Sequence, residues 1–353
     1  MSKRTFEIAG NKIGEFTSPF IIAEAGVNHN GDLGLALQLV EAAAAAGADC
    51  VKFQTFQAKQ VVTDRGEMAT YQKKNTGVSK SQLAMLKELE LKEEFYGPII
   101  EHCRKHRILF LSTPHGGVDS VNFLESLNLA AYKIGSGDLT NYLLLDKIAR
   151  LKKPIILSSG MATMAETKAA IDFIRSRKNN KIIVLHCTSN YPCPPDEVNL
   201  AAMRSMMQEL DVLVGYSDHT LGSQVAIMAV TLGAALYECH FTLDKKMKGP
   251  DHAASADPKE LKDKITKMRL VATIMGDKKK RPNHSEAESM ITTVRRSLVA
   301  KRDLPIGHVL TLQDLEAKRP GDGLSPIYFE KVLGKKLKKS LKPDEQINLE
   351  NLE

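Results

Sequence analysis

Eight short apolar runs rich in β-branched residues follow one another along this chain, with helix-like stretches between them. The runs are FIIAEAG (20–26), DCVKFQTF (49–56), ILFLSTP (108–114), AAYKIGSG (130–137), PIILSSG (154–160), KIIVLHC (181–187), DVLVGYSDH (211–219) and AALYECHF (234–241). Each is short for a helix, which is the pattern of a buried strand. LGLALQLVEAAAAAGA (33–48) has high helix propensity and closes on Gly47. Residues 79–106 have room for two helices. Thr163 and Glu166 have the spacing of a capping box ahead of a helix over 163–178, and further helices are predicted over 220–234 and 257–276. Strand–helix alternation specifies a parallel sheet, because parallel neighbours are joined by a crossover. Eight units over about 255 residues match a closed (β/α)8 TIM barrel. The competing architecture, a doubly wound open sheet, would more often place a glycine-rich phosphate turn after its first strand, where AEAGVNHNG stands instead.

After about residue 282 the rhythm stops. The expected division is a barrel over 1–282, a polar linker over 283–293, and a small domain over 294–353. About 60 residues give that last domain a thin core and a reason to dock on something.

Composition narrows the function classes. Of 353 residues, 43% are hydrophobic and 26% charged, as in an ordinary globular chain. No apolar run approaches the roughly 18 residues of a membrane span, and the N-terminus has no apolar signal region. Five cysteines without a framework suit a reducing compartment, so a cytoplasmic protein is expected. The net charge of +7 is concentrated in DKKKRP (277–282) and GKKLKKSLK (334–342). Such runs are solvated surface, and a basic balance also suits a small anionic substrate. Neither aromatic interleaving nor a nucleic-acid motif accompanies them.

In a barrel of this type the C-terminal strand ends form the active face. Nearly every run here carries polar groups at that end: Glu24, Lys52 and Gln54, Ser112 and Thr113, Lys133 with Ser136 and Asp138, Ser158 and Ser159, His186 with Ser189 and Tyr191, Ser217 and His219, and Glu238 and His240. A lone serine at a strand end is usually a turn former. Two lysines are different, because a buried ammonium must be paired. Lys52 and Lys133 converging on one face point to an anion between them. His219 and His240 end adjacent strands, where their imidazoles can share a metal or serve as hydrogen-bonding core residues. Other constellations compete. Cys187, Cys193, Cys239 and His240 could form a structural zinc site, although their spacing fits no finger. Either lysine could form a Schiff base. A serine hydrolase lacks its G-x-S-x-G elbow.

The stretches IIAEAGVNHNG, VKFQTF, STP, YKIGSGD, SSGMAT, HCTSNYPCP, GYSDHT, HFTLD and GPDH resemble, in order, the sialic acid synthases. AKRPGDGLSP resembles their C-terminal SAF, or antifreeze-like, domain. The resemblance implies condensation of phosphoenolpyruvate with N-acetylmannosamine, or a related N-acyl amino sugar, to a nine-carbon 2-keto acid with loss of phosphate. Legionaminic acid or another nonulosonate, made from a diacetamido-trideoxy hexose, is the alternative product. It implies a divalent ion, Mn²⁺ with Mg²⁺ or Co²⁺ as alternatives, held by His219 and His240. By the same resemblance Glu24 acts at the reacting carbon. Lys52, Thr113, Lys133, Ser136, Ser158, Ser189 and Ser217 take phosphoenolpyruvate, and Gln54, Asp138, Tyr191 and Asp251 face the sugar. Arg319 reaches the partner's barrel in a domain-swapped homodimer. A related synthase of 3-deoxy sugar acids would leave the tail unexplained, and a purely ice-binding tail would leave Arg319 unexplained. Two positions depart from the family. Cys239 stands where a Lys or Arg is usual, which predicts a base lost beside the metal, and Ser189 stands where some members have Asn.

Overall fold

The structure, a computed structural model of the chain, describes residues 5–14, 18–70, 72–73, 81–277 and 279–353. Its contacts divide the chain into two compact units, Met1–Gly276 and Asp277–Glu353.

The first unit begins with a hairpin, β1 (Thr5–Ile8) antiparallel to β2 (Asn11–Gly14), which the sequence analysis passed over. Its strands are only four residues long, so their period-2 pattern is brief. Phe6, Ile8 and Ile13 join Ile22, Leu111, Ile156, Ile183 and Leu213 in one apolar cluster, so the hairpin closes the end of the barrel opposite the polar strand ends.

Eight strands follow: β3 (Phe20–Gly26), β4 (Cys50–Thr55), β5 (Leu109–Pro114), β6 (Tyr132–Ile134), β7 (Ile155–Ser158), β8 (Ile182–His186), β9 (Leu213–Asp218) and β10 (Leu236–His240). They match the eight runs one for one. Their order is β5-β4-β3-β10-β9-β8-β7-β6 and every pairing is parallel. β5 and β6 lie side by side at the remaining seam, so the sheet comes round on itself as a (β/α)8 barrel.

Among the described residues the helices of this unit are α1 (Leu33–Ala46), α2 (Ala58–Val61), α3 (Gln82–Glu88), α4 (Glu93–Lys105), α5 (Gly117–Ser126), α6 (Tyr142–Arg150), α7 (Met164–Ser176), α8 (Ala201–Glu209), α9 (Gln224–Leu232) and α10 (Pro258–Met275). Residues 79–106 hold two of them, α3 and α4, although 79 and 80 lie outside the described residues. Local chemistry sets the ends. The Asp32 side chain accepts from the Leu35 amide to start α1, and Gly47 ends it in the left-handed region at φ 89°. Reciprocal capping boxes, Thr163 with Glu166 and Asp257 with Glu260, start α7 and α10. No described helix is long and apolar enough to cross a membrane.

In the second unit, the stretch expected to be a plain linker contains a helical turn, Glu286–Met290, running into α11 (Ile291–Val294). Residues 281–290 are exposed throughout, so no apolar period marked a helix there. β11 (Ser297–Ala300) pairs antiparallel with β12 (Leu315–Lys318), and α12 (Phe329–Val332) follows. The core is small: Leu298, Ala300, Leu304, Leu310, Val332, Leu337, Leu341, Ile347 and Leu352.

Beside that core the Asp314 carboxylate is buried. It accepts from the Thr311 amide at 2.9 Å and hydroxyl at 2.7 Å, from His308 Nε2 at 2.9 Å, and from Arg302 at 2.6 Å. Burial pushes its pKa up, but these donors outweigh burial and hold it well below the usual carboxylate range. A depressed folded value gives stability that is present above the unfolded value of about 4 and is lost as pH falls below it. Asp314→Ala should therefore destabilise this unit by about 1–3 kcal/mol at pH 7 and by much less in strong acid. Hydrogen exchange of the β11 and β12 amides measures this, and equal protection in the two proteins at pH 7 would refute it.

Candidate active site

The C-terminal strand ends carry a buried cluster of four charged side chains. Lys52 on β4 forms an ion pair with Glu24 on β3 and donates to Thr113 Oγ1 on β5 at 2.9 Å. Lys133 on β6 reaches Glu238 Oε1 on β10 at 3.3 Å, and Lys52 lies 3.8 Å from Glu238 Oε2. Ser217 on β9 donates to Glu238 at 3.3 Å, and Gln54 donates to Glu24 at 3.1 Å. All four charged groups are buried.

Their titration is pulled apart. Burial pushes Glu24 up; the charge of Glu238 acts the same way, against Lys52. Burial also raises Glu238, but Lys133 and Lys52 outweigh it and hold that carboxyl at about 2. Burial alone would lower Lys52, yet Glu238 and Glu24 raise it. Glu238 is therefore the fixed counter-ion, and Glu24 is the carboxyl able to carry a proton. The register of β3 against β4 shifts between Glu24 and Gly26, and Gly26 has φ 55°. A Cβ there would lie 3.2 Å from the His240 ring, so glycine lets the imidazole sit close against the backbone.

His219, one residue past β9, and His240, the last residue of β10, have ring centroids 5.6 Å apart. His219 Nδ1 donates to the Thr188 carbonyl at 2.6 Å, which leaves Nε2 as a lone-pair donor. His240 Nδ1 is buried and makes no hydrogen bond. Burial lowers the pKa of both, which favours the neutral form that binds a metal. Tyr191 stacks 4.0 Å from the His219 ring and stands edge-on to His240 at 5.4 Å. An orphaned imidazole nitrogen beside a second free one fits a divalent ion. Elsewhere, Glu41, His102 and His106 on α1 and α4 place ligand atoms within 4.8 Å of one another, with His102 and Glu41 2.9 Å apart.

Two serines meet in the loops that follow β6 and β8. Ser136 and Ser189 share a hydrogen bond of 2.8 Å, and a Cβ on Gly160 would approach Ser136 Cβ to 2.2 Å and Ser189 Oγ to 2.6 Å. Glycine at 160 thus lets the two serines close against the backbone there. Ser158, on β7, is buried just before it. Asp138 accepts from Asn141 at 3.0 Å and lies 3.7 Å from His115; burial raises its pKa, but these hydrogen bonds bring it below the usual value. Asp251 is buried, and burial first, then the Glu24 charge, raises it to about 7.

The barrel therefore carries every predicted site residue except Arg319 on its strand ends or the loops that follow them. Arg319 lies in the second unit, where its Nε donates to the Val294 carbonyl at 3.0 Å. The imagined zinc set is not gathered, and all five cysteines are buried and unpaired. Cys239 also corrects an expectation. Strand alternation turns it away from Glu238 and His240 into the apolar layer with Tyr237 and Phe241, so no base is missing at the histidines. On that outer side, Asp218 accepts from Tyr237 OH at 2.5 Å, from the Thr220 hydroxyl at 2.7 Å, and from Lys264 of α10 at 3.4 Å. Sequence reasoning named Glu238 but gave it no role, although its period-2 spacing from His240 put both on one face. Lys264 gave no signal, being one of many lysines on an amphipathic helix.

The model of the NeuB family matches residues 39–280, and that of the SAF domain matches 295–353. A relative named N,N'-diacetyllegionaminic acid synthase, from Campylobacter jejuni, is 47% identical over 93% of this chain and 98% of its own. One of the same name from Legionella pneumophila is 44% identical, over 95% and 94%. A crystal structure of N-acetylneuraminic acid (sialic acid) synthetase from Leptospira borgpetersenii, in complex with citrate, superposes with a TM-score of 0.72 at 33% identity, covering 82% of this chain and 95% of that one.

Lys264 is the cation closest to a buried carboxylate one residue before His219. Lys264→Met should cost about 3 kcal/mol in denaturant unfolding, because Asp218 is left buried without its cation. The double variant with Asp218→Asn should recover part of that loss. Equal stability of the single variant and the parent would sink the argument.

Proposed function

This chain belongs to the NeuB family, is a phosphoenolpyruvate-dependent synthase of nine-carbon sugar acids, and, we propose, uses a 2,4-diacetamido-2,4,6-trideoxy hexose as acceptor to make a diacetyllegionaminate-type product. The observation that carries the choice of sugar is the 47% and 44% identity, over nearly whole chains, to two enzymes named for that product. The N-acetylmannosamine reading yields first place, since the structure named for sialic acid synthesis is only 33% identical.

The residues divide the work. Lys133 and Lys52 with Thr113, Ser136, Ser158, Ser189 and Ser217 take the phosphate and carboxylate of phosphoenolpyruvate. Glu238 is the anion that both lysines face. Glu24 faces the carbon that becomes cationic when the enol attacks; it stabilises that charge and moves the proton of the incoming water. His219 and His240 would hold a divalent ion, Mn²⁺ by preference, which supplies electrophilic polarisation of the acceptor aldehyde. Gln54, Asp138, Tyr191 and Asp251 orient the sugar. In the small domain, 294–353, Arg319 completes the sugar site of a second copy in a swapped homodimer. Cytoplasmic placement agrees with such an intracellular biosynthetic role.

Phosphate release from phosphoenolpyruvate tests the acceptor. With Mn²⁺ restored after stripping, the diacetamido sugar should exceed N-acetylmannosamine in kcat/KM by at least about tenfold, the range open to a pocket without editing. A larger value for N-acetylmannosamine would return that sugar to first place.

The partner role of Arg319 has its own test. Arg319→Ala and His240→Ala chains, each inactive alone, should regain about a quarter of normal activity when unfolded together and refolded, because half the dimers then hold one intact site. No recovery from the mixture would place Arg319 in its own chain's site or in none.

A further inference from the structure

Away from the barrel mouth, α1 and α4 bring two imidazoles and a carboxylate together. His102 and His106 are four residues apart at the C-terminal end of α4, a spacing that sets both rings on one face, and their centroids lie 4.5 Å apart. Glu41 meets them from α1, with its Oε1 2.9 Å from His102 Nε2. One ligand atom from each residue lies within 4.8 Å of the other two. Among the described residues, no other three histidine, cysteine, aspartate or glutamate side chains come together this way. The backbones beneath are held in place, because Val40 and Ala43 of α1 and Ile99 and Cys103 of α4 are buried in one apolar core. Side-chain rotation is then all that separates the trio from a tetrahedral sphere, whose ligand atoms stand about 3.3 Å apart at metal bonds of about 2.0 Å.

We propose that Glu41, His102 and His106 form a second divalent-metal site, separate from His219 and His240, that takes Zn²⁺ or a similar ion and clamps α1 to α4. Two imidazoles and one carboxylate suit Zn²⁺, Ni²⁺ or Cu²⁺, whereas Mg²⁺ and Ca²⁺ prefer oxygen alone. A helix C-terminus carries negative partial charge, which favours a cation there. The Glu41 side chain is 53% exposed, so an ion can enter from solvent. The clamp has a structural place in the barrel. α1 joins β3 to β4 and α4 leads into β5, so the two helices flank the strands that carry Glu24, Lys52 and Thr113. Without an ion the same geometry is a hydrogen bond between His102 and Glu41, and metal binding separates the two readings.

The test is calorimetric titration of the full-length chain with Zn²⁺, in the parent and in His102→Ala, His106→Ala and Glu41→Gln. The parent should bind one equivalent more than His102→Ala. His106→Ala and Glu41→Gln should each weaken that equivalent by at least about tenfold, since even partners outside the coordination sphere are worth that much. About a hundredfold excess of Mg²⁺ should leave it bound. Zn²⁺ should also raise the melting temperature of the parent more than that of His102→Ala, because an ion held by the folded state stabilises it. Melting curves without metal show which variants fold, and if His102→Ala does not, His106→Ala supplies the comparison. Equal zinc stoichiometry and affinity in the parent and the folded variants overturns the site, as does displacement by Mg²⁺. None of these measurements depends on the synthase reaction.

Discussion

Lys133 and Glu238 meet at 3.3 Å although their strands, β6 and β10, stand on opposite sides of the ring. That cross-lumen pair, joined by Lys52 and Glu24, is the constraint on which the site depends. Burying four ionised groups without neutralisation would be prohibitive. Two cations and two anions in one volume make it tolerable, provided that β3, β4, β6 and β10 hold their registers to within a residue. A slip of one position would turn each charge into the apolar layer beneath the helices. The closed barrel supplies that rigidity, and the hairpin β1–β2 packs its other end.

The same alternation sorts chemistry from support at every strand end. On β10, Glu238 and His240 face the lumen, while Tyr237 and Cys239 face the helices. On β9, Ser217 faces Glu238, and Asp218 turns outward to Tyr237 and Lys264. The outer charges hold the backbone that carries the inner ones, so one strand end serves two networks of different purpose. Buried histidines on the inner side, with a lone nitrogen left over, complete an arrangement that suits a metal and an anion side by side.

Much of this was legible in the sequence because the signals are short-range. The eight strands, the Thr163–Glu166 box and the Gly47 cap depend on residues within a few positions of each other, and each stands where it was expected. The hairpin at residues 5–14 was too short to announce itself, and the helical turn at 286–290 is exposed on all sides and has no apolar period to read. Among site residues, Lys52, Lys133, His219 and His240 were visible as polar groups closing apolar runs. The role of Glu238 and the part played by Lys264 were not, because each is defined by a partner far away in the chain.

Sequence alone determined the alternation of strand and helix, the parallel sheet it entails, and the set of polar side chains delivered to one face, since these follow from periodicity and local caps. Only the tertiary structure decided which of those side chains are paired. It set Glu238 as the fixed anion and left Glu24 able to hold a proton, and it turned Cys239 away from the histidines. The physical reason is the same throughout. Pairing, desolvation and facing are properties of the closed ring, where distance across the lumen replaces distance along the chain.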